Sequence, residues 1–178
     1  MTTVNRSVSV GVALLCAALA LSACSSSTPG VLTQSDIPSY LGLQYDAVAS
    51  ASSARSARPA PCKTAAVRDF TIPGRHLNAR KEDTSLPFVG SVVLACASTS
   101  QARAVFTKTT KGAGGEVVAG IGDEALLGVV SQLKTTEYAL GWRQGDEVCD
   151  LIIVASPTDQ RITPALTELL ARRAAARG

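Results

Sequence analysis

The chain has 178 residues and a mild net charge of +3, and aromatic residues make up only 4% of it. Such a charge does not indicate a nucleic-acid partner, which would need a clustered basic surface. The length allows one ordinary domain with a real hydrophobic core once a targeting segment is removed. These figures argue against a nucleic-acid-binding protein and predict one ordinary domain.

The N-terminus has the order typical of a secretory signal peptide. Arg6 supplies a positive start, and residues 8–21 form an uncharged, largely apolar run. A membrane-spanning helix needs about 20 apolar residues, so this run is too short to be an anchor. Residues 1–23 are therefore predicted to be a signal peptide that is removed.

The apolar run ends in Leu21-Ser22-Ala23-Cys24, which resembles the lipobox of bacterial lipoproteins. The resemblance implies cleavage between Ala23 and Cys24, diacylglycerol on the Cys24 thiol and an acyl chain such as palmitate on the new amine. The alternative is an ordinary signal peptide with a chance cysteine. Two or three lipid chains hold a protein durably on a membrane. We therefore predict attachment to the cell membrane, through covalent lipid on Cys24, on the extracytoplasmic face.

The mature sequence divides into three parts. Residues 24–34 are predicted to be the lipidated cysteine and a flexible tether. Residues 35–61 are predicted to form a short helix and then an irregular segment rich in Ala and Ser. Residues 62–178 are predicted to form a single α+β domain, with its compact core beginning near Cys62.

Two strands are predicted early in this domain, at residues 64–72 and 88–97, because both are rich in β-branched and aromatic residues. A polar loop separates them. If they pair as a hairpin in which opposite residue numbers sum to about 158, Phe70 faces Phe88.

Apart from the lipidated Cys24, three cysteines remain after processing, and outside the cytoplasm they can form one disulfide. The same hairpin register places Cys62 opposite Cys96, which makes this the preferred bond. A bond between Cys96 and Cys149 is the alternative, and otherwise Cys149 is a buried free thiol. Because the chain has no C-x-x-C pattern and a single histidine, no metal site is predicted.

A middle helix and a second hairpin follow. Ser98 and Gln101 fit a capping box, and Gly112 suits the position just past the helix end. Residues 135–156 predict a hairpin that turns at Gln144-Gly145 or Gly145-Asp146. The stripe of the middle helix that is predicted to face the core is Ala102, Val105, Phe106 and Thr109.

One face of the second hairpin is predicted to be the core face, because the other carries Gly141, Arg143 and Asp150. The residues of the predicted core face are Tyr138, Leu140, Trp142, Cys149, Leu151 and Ile153.

A last helix is predicted over residues 161–176, with Pro164 in its first turn. Its three C-terminal arginines are interpreted as a solvated helix end, and contact with a membrane surface or an anionic polymer is the alternative. The element order then predicts an α+β fold, with an antiparallel sheet of about five strands packed with the middle helix and this C-terminal helix. The last helix has an apolar stripe of Ile162, Leu166, Leu169 and Leu170, and its three arginines are Arg172, Arg173 and Arg177.

The sequence offers little that indicates catalysis. Nucleophilic systems such as Ser-His-Asp need a positioned histidine, and the one histidine, His76, lies in a polar loop. The adjacent acidic pairs Asp123-Glu124 and Asp146-Glu147 lie beside glycines, where turn chemistry explains them. We therefore predict a protein that is not an enzyme and uses no cofactor.

Gly120-Ile121-Gly122-Asp123-Glu124-Ala125 formally matches the dinucleotide-binding pattern G-x-G-x-x-A. That pattern carries meaning only where the glycines end a strand and open a long helix. Here the following residues favour a strand, and two carboxylates would stand where a pyrophosphate should lie. The segment is predicted to be a strand, a glycine turn, an acidic bend and another strand.

Taken together, five segments resemble a family of actinobacterial lipoproteins and the similar extracellular sensor-type domains of receptor kinases. The resemblance spans about residues 32–177 and implies no catalytic residues. The kinase-linked domains have two disulfides, whereas this chain has cysteines for one. The segments are Leu32 to Leu41, Ser98 to Phe106, Gly120 to Ala125, Trp142 to Val148, and Leu166 to Arg177.

These observations predict a membrane-anchored lipoprotein of the cell envelope. Its domain would bind a ligand or a protein partner without catalysis. The alternatives are a structural or interaction subunit of an envelope complex and, third, a hydrolase.

Overall fold

The computed structural model of the protein describes residues 30–56, 61–74, 86–111 and 114–177. They form a seven-stranded antiparallel sheet with three α-helices, among them a middle helix and a C-terminal helix. The predicted α+β class is confirmed, but the predicted number of about five strands is wrong. Ala23, Cys24, His76 and Gly112, for which the sequence made predictions, lie outside the described residues.

The strands lie side by side in the order β1-β2-β3-β7-β6-β5-β4, and every neighbouring pair is antiparallel. Two short 3-10 turns, Gln34–Asp36 and Ser39–Leu41, precede the sheet. The strands are β1 (Gln44–Tyr45), β2 (Lys63–Thr71), β3 (Phe88–Ala95), β4 (Glu116–Val117), β5 (Glu124–Ser131), β6 (Thr136–Gln144) and β7 (Glu147–Ala155), and the helices are α1 (Ala47–Ser56), α2 (Thr99–Thr110) and α3 (Pro164–Ala175).

The two edges of the sheet are β1, which the sequence did not predict, and β4, which lies where a strand was predicted before the glycine turn. Each has only two residues. β1 pairs with the end of β2, and β4 pairs with Leu126 and Leu127 of β5. The two residues of β1 cannot show the alternation by which a strand is recognised, so this edge is set by tertiary pairing.

The register between β2 and β3 changes once along the pair. Near the disulfide Lys63 faces Ala95, which is the predicted register. A bulge early in β2 then shifts the pairing by one residue, so that Phe70 faces Val89 and not Phe88. A bulge adds one unpaired residue to one strand, and the strand's residue types do not mark its position.

The β6–β7 hairpin has the second of the two predicted registers, because Gln144 faces Glu147 and the turn is Gly145-Asp146. Its predicted core face is confirmed. Trp142 faces Cys149, and both are fully buried.

The sheet carries a hydrophobic core on each face. On the Trp142 face, α3 and the N-terminal segment cover the sheet. On the opposite face, Phe106 of α2 packs with Val148 near the disulfide. The expectation that the face of Arg143 lies away from the core is therefore wrong, since this residue is 3% exposed. Gly141 also lies on this face, beside Asp150 and Phe106.

The core includes chain that precedes Cys62, so its predicted start was too late. The N-terminal segment lies on the same face as α3 and contributes to the same cluster. Its buried apolar residues are Val31, Leu32, Ile37, Leu41 and Leu43.

The segment expected to be irregular begins with α1. Asp46 caps this helix, since its Oδ1 accepts hydrogen bonds at 2.9 Å from the backbone N–H groups of Val48 and Ala49. Alanine is the best helix former, so the Ala-rich composition supports the same structure. Ser53 of α1 donates to Asp69 of β2 at 2.6 Å and so docks the helix on the sheet.

The caps of α2 and α3 follow the sequence patterns. Ser98 Oγ accepts from the backbone of Gln101, and α3 begins at Pro164 after Thr163 as its N-cap. In each helix one predicted stripe residue is exposed, Thr109 in α2 and Leu169 in α3. Among the described helices, none is long and apolar enough to cross a membrane.

Candidate functional site

The segment that matches the dinucleotide pattern is a turn between β4 and β5. Gly120 and Gly122 both have positive φ, 73° and 52°. A Cβ at Gly122 would also overlap the carbonyl oxygen of Arg143, so both conformation and close approach require glycine there. The predicted second strand is present as β5, but it begins at Glu124, which was placed in the acidic bend.

Both acidic residues of this turn bind one arginine. Arg143 Nη1 donates to Asp123 Oδ2 at 2.6 Å, and Arg143 Nε donates to Glu124 Oε1. The Arg143 side chain is 4% exposed, whereas the two carboxylates are 48% and 36% exposed. The hydrogen bond to Glu124 is the main cause that raises the pKa of Arg143. The acidic bend thus supplies the counter-ions of a buried guanidinium.

The same bend holds the turn of the β6–β7 hairpin. The Asp123 N–H donates to the Arg143 carbonyl at 2.8 Å, and Asp123 Oδ2 accepts from the Gly145 N–H at 3.0 Å. We call Asp123, Glu124, Arg143 and Gly145 the turn clasp. Two of the segments that carry the family resemblance therefore meet here, and the chemistry between them is structural.

A depression of about 520 Å³ lies beside the edge strand β1. Two further depressions, of about 180 and 300 Å³, adjoin it, and Tyr45 lines all three. The Tyr45 side chain is 41% exposed, so its ring is available to a ligand. We call the three depressions the Tyr45 site.

One wall of the Tyr45 site is a cation–π stack. The Arg68 guanidinium lies 4.9 Å from the centre of the Tyr45 ring. The Tyr45 ring also packs edge-on against Phe70, at 6.1 Å between ring centres. Within the described chain, no carboxylate forms an ion pair with Arg68. The stack therefore presents a positive charge beside an aromatic face.

The Gln34 side chain fixes the Tyr45 backbone from the outside. Gln34 Nε2 donates to the Leu43 carbonyl at 3.0 Å, and the Tyr45 N–H donates to Gln34 Oε1 at 2.7 Å. This primary amide occupies the backbone groups that a further strand would use. The site thus has a rigid floor although β1 is very short.

Two buried carboxylates lie behind the third depression. Asp46 lines it and accepts from Thr71 Oγ1 at 3.1 Å. Asp69 is 2% exposed. Burial, opposed by the hydrogen bond from Ser53 and aided by the charge of Asp46, raises the pKa of Asp69. Both acids hold hydroxyl or backbone partners that position α1.

The sequence analysis did not identify Gln34, Tyr45 or Arg68. They lie far apart in the chain and meet only because the N-terminal segment crosses the sheet. One signal was present, because Arg68 and Phe70 are two residues apart and so share a face of β2. A charged residue on the core face of a strand indicates a special role.

The cysteines form the disulfide that the sequence analysis preferred. Cys62 and Cys96 form a disulfide, and the alternative bond between Cys96 and Cys149 is wrong. Cys149 is a buried free thiol. Burial, with a smaller effect from Glu147 and Asp150, raises its pKa far above that of an exposed thiol. It is unsuited to nucleophilic chemistry because the thiolate is the reactive form.

The interpretation of the α3 arginines as a solvated helix end is wrong for Arg177, whose side chain is 27% exposed and pairs with Asp36, whereas Arg172 and Arg173 are exposed. Arg177 forms two hydrogen bonds of 2.8 Å to the Asp36 carboxylate, and Arg173 donates to the Asp36 carbonyl at 2.8 Å. Arg172 donates to the Gly120 carbonyl at 3.0 Å. The N-terminal segment folds back over α3, and this contact cannot be read from the helix alone.

No model of a known protein family matches the chain, and no characterised protein is significantly similar to it. The likeness to sensor-type lipoproteins therefore stays a prediction. Across residues 30–56, 61–74, 86–111 and 114–177, no group of three or more His, Cys, Asp and Glu side chains could hold a metal ion.

Proposed function

We propose that the protein is a lipid-anchored lipoprotein of the cell envelope that binds a small anionic ligand, without catalysis, at the Tyr45 site. The ligand-binding part rests on one observation, the Arg68 guanidinium stacked on the half-exposed Tyr45 ring. The anchoring part rests on the Leu21-Ser22-Ala23-Cys24 segment of the sequence.

The chemistry of the Tyr45 site favours a ligand with a planar or apolar body and an acidic group. An arginine fork matches the geometry of a carboxylate or a phosphate and can bind it through two hydrogen bonds. The Tyr45 ring, which lines the depression, offers apolar contact to the rest of the ligand. A few polar groups converging on an apolar surface are typical of small-molecule sites.

Anion binding can be tested with benzoate as the probe and benzamide as its neutral control. Saturation-transfer NMR on the full chain in detergent should show contact with benzoate and much weaker contact with benzamide. Arg68→Gln should remove the benzoate signal. Arg103→Gln, which changes an arginine that is 66% exposed on α2, should leave it unchanged. Equal signals from the two probes, or a benzoate signal that survives Arg68→Gln, would refute the site.

The natural ligand can be sought by native mass spectrometry of the protein extracted from its own envelope. The expected result is an additional mass that is present on the wild-type chain and absent from Arg68→Gln. Co-purification of that mass with both chains would show that it binds elsewhere.

Anchoring is tested separately with Cys24→Ala. This variant should leave the membrane fraction or accumulate with its signal peptide uncut. A variant that is cut normally and stays membrane-bound would contradict the lipoprotein assignment, while leaving the ligand site untested by that result alone.

A further inference from the structure

The two edges of the sheet differ in how far their outward backbone groups are hydrogen-bonded. At the β1 edge, the outward N–H of Tyr45 and the outward carbonyl of Leu43 are both bonded to the Gln34 amide. At the other edge, β4 pairs with only two residues of β5, Leu126 and Leu127. The remainder of β5 has no neighbouring strand on that side among the described residues.

The hydrogen-bond pattern shows which residues face the open edge. The Val118 N–H donates to the Ala125 carbonyl at 3.1 Å, so the backbone groups of Ala125 point outward. Backbone direction alternates along a strand, so Val129 and Ser131 also point outward. These two residues present two donors and two acceptors to any chain that lies alongside.

The open stretch, residues 128–132, has none of the usual protection. Native edges are commonly guarded by lysine, proline or an inward charge. Here the sequence is Gly-Val-Val-Ser-Gln, which has neither charge nor proline. Val129 is 49% exposed and Val130 is 53% exposed. An uncharged, β-branched edge of this kind favours pairing with another strand.

We propose that β5 pairs antiparallel with β5 of a second copy of this chain, about a two-fold axis at Val130. Val129 of each copy would then face Ser131 of the other and exchange backbone hydrogen bonds. Val130 would face its own counterpart as a pair without hydrogen bonds, because its backbone groups point toward β6. The seven-stranded sheets would join into one continuous sheet.

The ends of the open stretch favour a second copy over a long extended peptide. On one side β4 occupies the edge beside Leu127. On the other side the chain leaves the edge, since the Gln132 N–H donates to the Thr135 carbonyl in the turn to β6. In the two-fold arrangement each copy turns away where β4 of the other copy begins. A peptide that continued straight would meet β4.

The apolar residues beside the two ends fit the same arrangement. Leu133, in the β5–β6 turn, is fully exposed, and Val117 of β4 is 77% exposed. The two-fold axis brings the turn of one copy to the β4 end of the other, so these side chains approach twice per dimer. In a single copy both side chains leave apolar surface in contact with water, which is unfavourable.

Cysteine trapping tests both the dimer and its register. The full chain carrying Val130→Cys is oxidised in isolated membranes and separated without reductant. Cα atoms of a pair without hydrogen bonds lie about 4.5 Å apart, within the range for a disulfide. Val129→Cys is the matched control, because it is equally exposed but its two copies would be too far apart. The expected result is a covalent dimer for Val130→Cys and monomer for both Val129→Cys and the wild type.

A second measurement uses no cysteine. Val130→Lys places two like charges at the axis, whereas Val48→Lys makes the same change on α1, at a residue that is 65% exposed. Sedimentation of the full chain in detergent should show the mass of two chains for wild type and Val48→Lys, and of one chain for Val130→Lys.

The proposal fails if Val130→Cys forms no more dimer than the wild type, if Val129→Cys crosslinks as well as Val130→Cys, or if Val130→Cys crosslinks to a different protein. It also fails if the wild type sediments as one chain. None of these outcomes bears on ligand binding at the Tyr45 site.

Discussion

Arg143 and Asp123 bind each other twice, once through the side chains at 2.6 Å and once through the backbone at 2.8 Å. The first contact neutralises a buried guanidinium, and the second fixes the turn that carries the carboxylate. The acidic bend therefore cannot form correctly unless the β6–β7 hairpin is in register. This coupling explains why a segment that resembles a nucleotide loop is a structural element.

The clasp predicts an asymmetry between its two sides. In Asp123→Ala/Glu124→Ala the guanidinium stays buried without a counter-ion, which should cost about 3–5 kcal/mol of unfolding free energy. Arg143→Met leaves two half-exposed carboxylates that water can solvate, so it should cost only about 1–2 kcal/mol. Urea unfolding checks this, with Glu116→Ala as the exposed-acid control. A larger loss for Arg143→Met would contradict the assignment.

Gly122, next to the turn clasp, and Gly145, within it, predict a second matched comparison. Gly122→Ala forces a positive φ on alanine and also drives its Cβ into the Arg143 carbonyl oxygen. Gly145→Ala has the same conformational cost, roughly 1 kcal/mol, but its Cβ meets open space. Thermal unfolding should therefore show a clearly larger loss for Gly122→Ala. Equal losses would mean that the turn moves away from β6 at little cost.

Much of the fold could be predicted because its signals are local. Which side chains of the β6–β7 hairpin face the core follows from the alternation of residues on both sides of one glycine turn. The first residue of α2 follows from the capping pattern of Ser98 and Gln101. The pairing of Cys62 with Cys96 follows from a hairpin register that holds at that end of β2 and β3. In each case the decisive residues lie in one element or in two neighbouring strands.

The features that could not be predicted depend on contacts between segments that are far apart in the sequence. Arg177 seemed solvated because its partner Asp36 lies 141 residues earlier. The Tyr45 site needs Gln34, β1 and Arg68 together, and β1 is too short to have a pattern. Arg143 was placed away from the core because the sequence did not show that α2 would cover it.

The cysteines predict a definite reactivity. A thiol reagent should label Cys149 only as fast as the protein unfolds, because the residue is buried and its pKa is raised chiefly by that burial. The Cys62–Cys96 bond closes a loop with a sequence separation of 34. In the chain-entropy model Cys62→Ser/Cys96→Ser should therefore lose about 3–4 kcal/mol. Rapid labelling of the folded wild type would contradict the burial of Cys149.

Asp150 predicts a dependence of stability on pH. Burial near Gly141 raises the pKa of its carboxyl to about 6. A raised folded-state pKa means that stability from this group is present below the ordinary aspartate pKa and is lost as the pH rises through about 6.

Asp150→Asn removes that loss. Between pH 4 and pH 7 its stability should rise relative to wild type by on the order of 2 kcal/mol. Urea unfolding at several pH values measures the difference in stability between Asp150→Asn and wild type. The titration of the other acids contributes equally to both chains and cancels in this difference. A difference that stays constant with pH would show that Asp150 titrates normally.

The contact between Arg177 and Asp36 predicts local opening of the N-terminal segment. Asp36 is 5% exposed. Burial by itself would raise its pKa, but the hydrogen bonds from Arg177 and Thr33 together lower it. Arg177→Ala should therefore cost about 2 kcal/mol at neutral pH and speed hydrogen exchange in residues 31–43.

The cost of Arg177→Ala should shrink as the pH falls below the ordinary aspartate pKa, because stability from a lowered pKa is lost on protonation. Exchange in α2, on the opposite face of the sheet, should not change. Arg103→Ala is the control, since its guanidinium is 66% exposed and lies 3.7 Å from Glu124. If Arg177→Ala leaves exchange in residues 31–43 as slow as in Arg103→Ala, the segment is held by its buried leucines and isoleucine and not by the arginine. The N-terminal segment would then be held on the domain by packing alone.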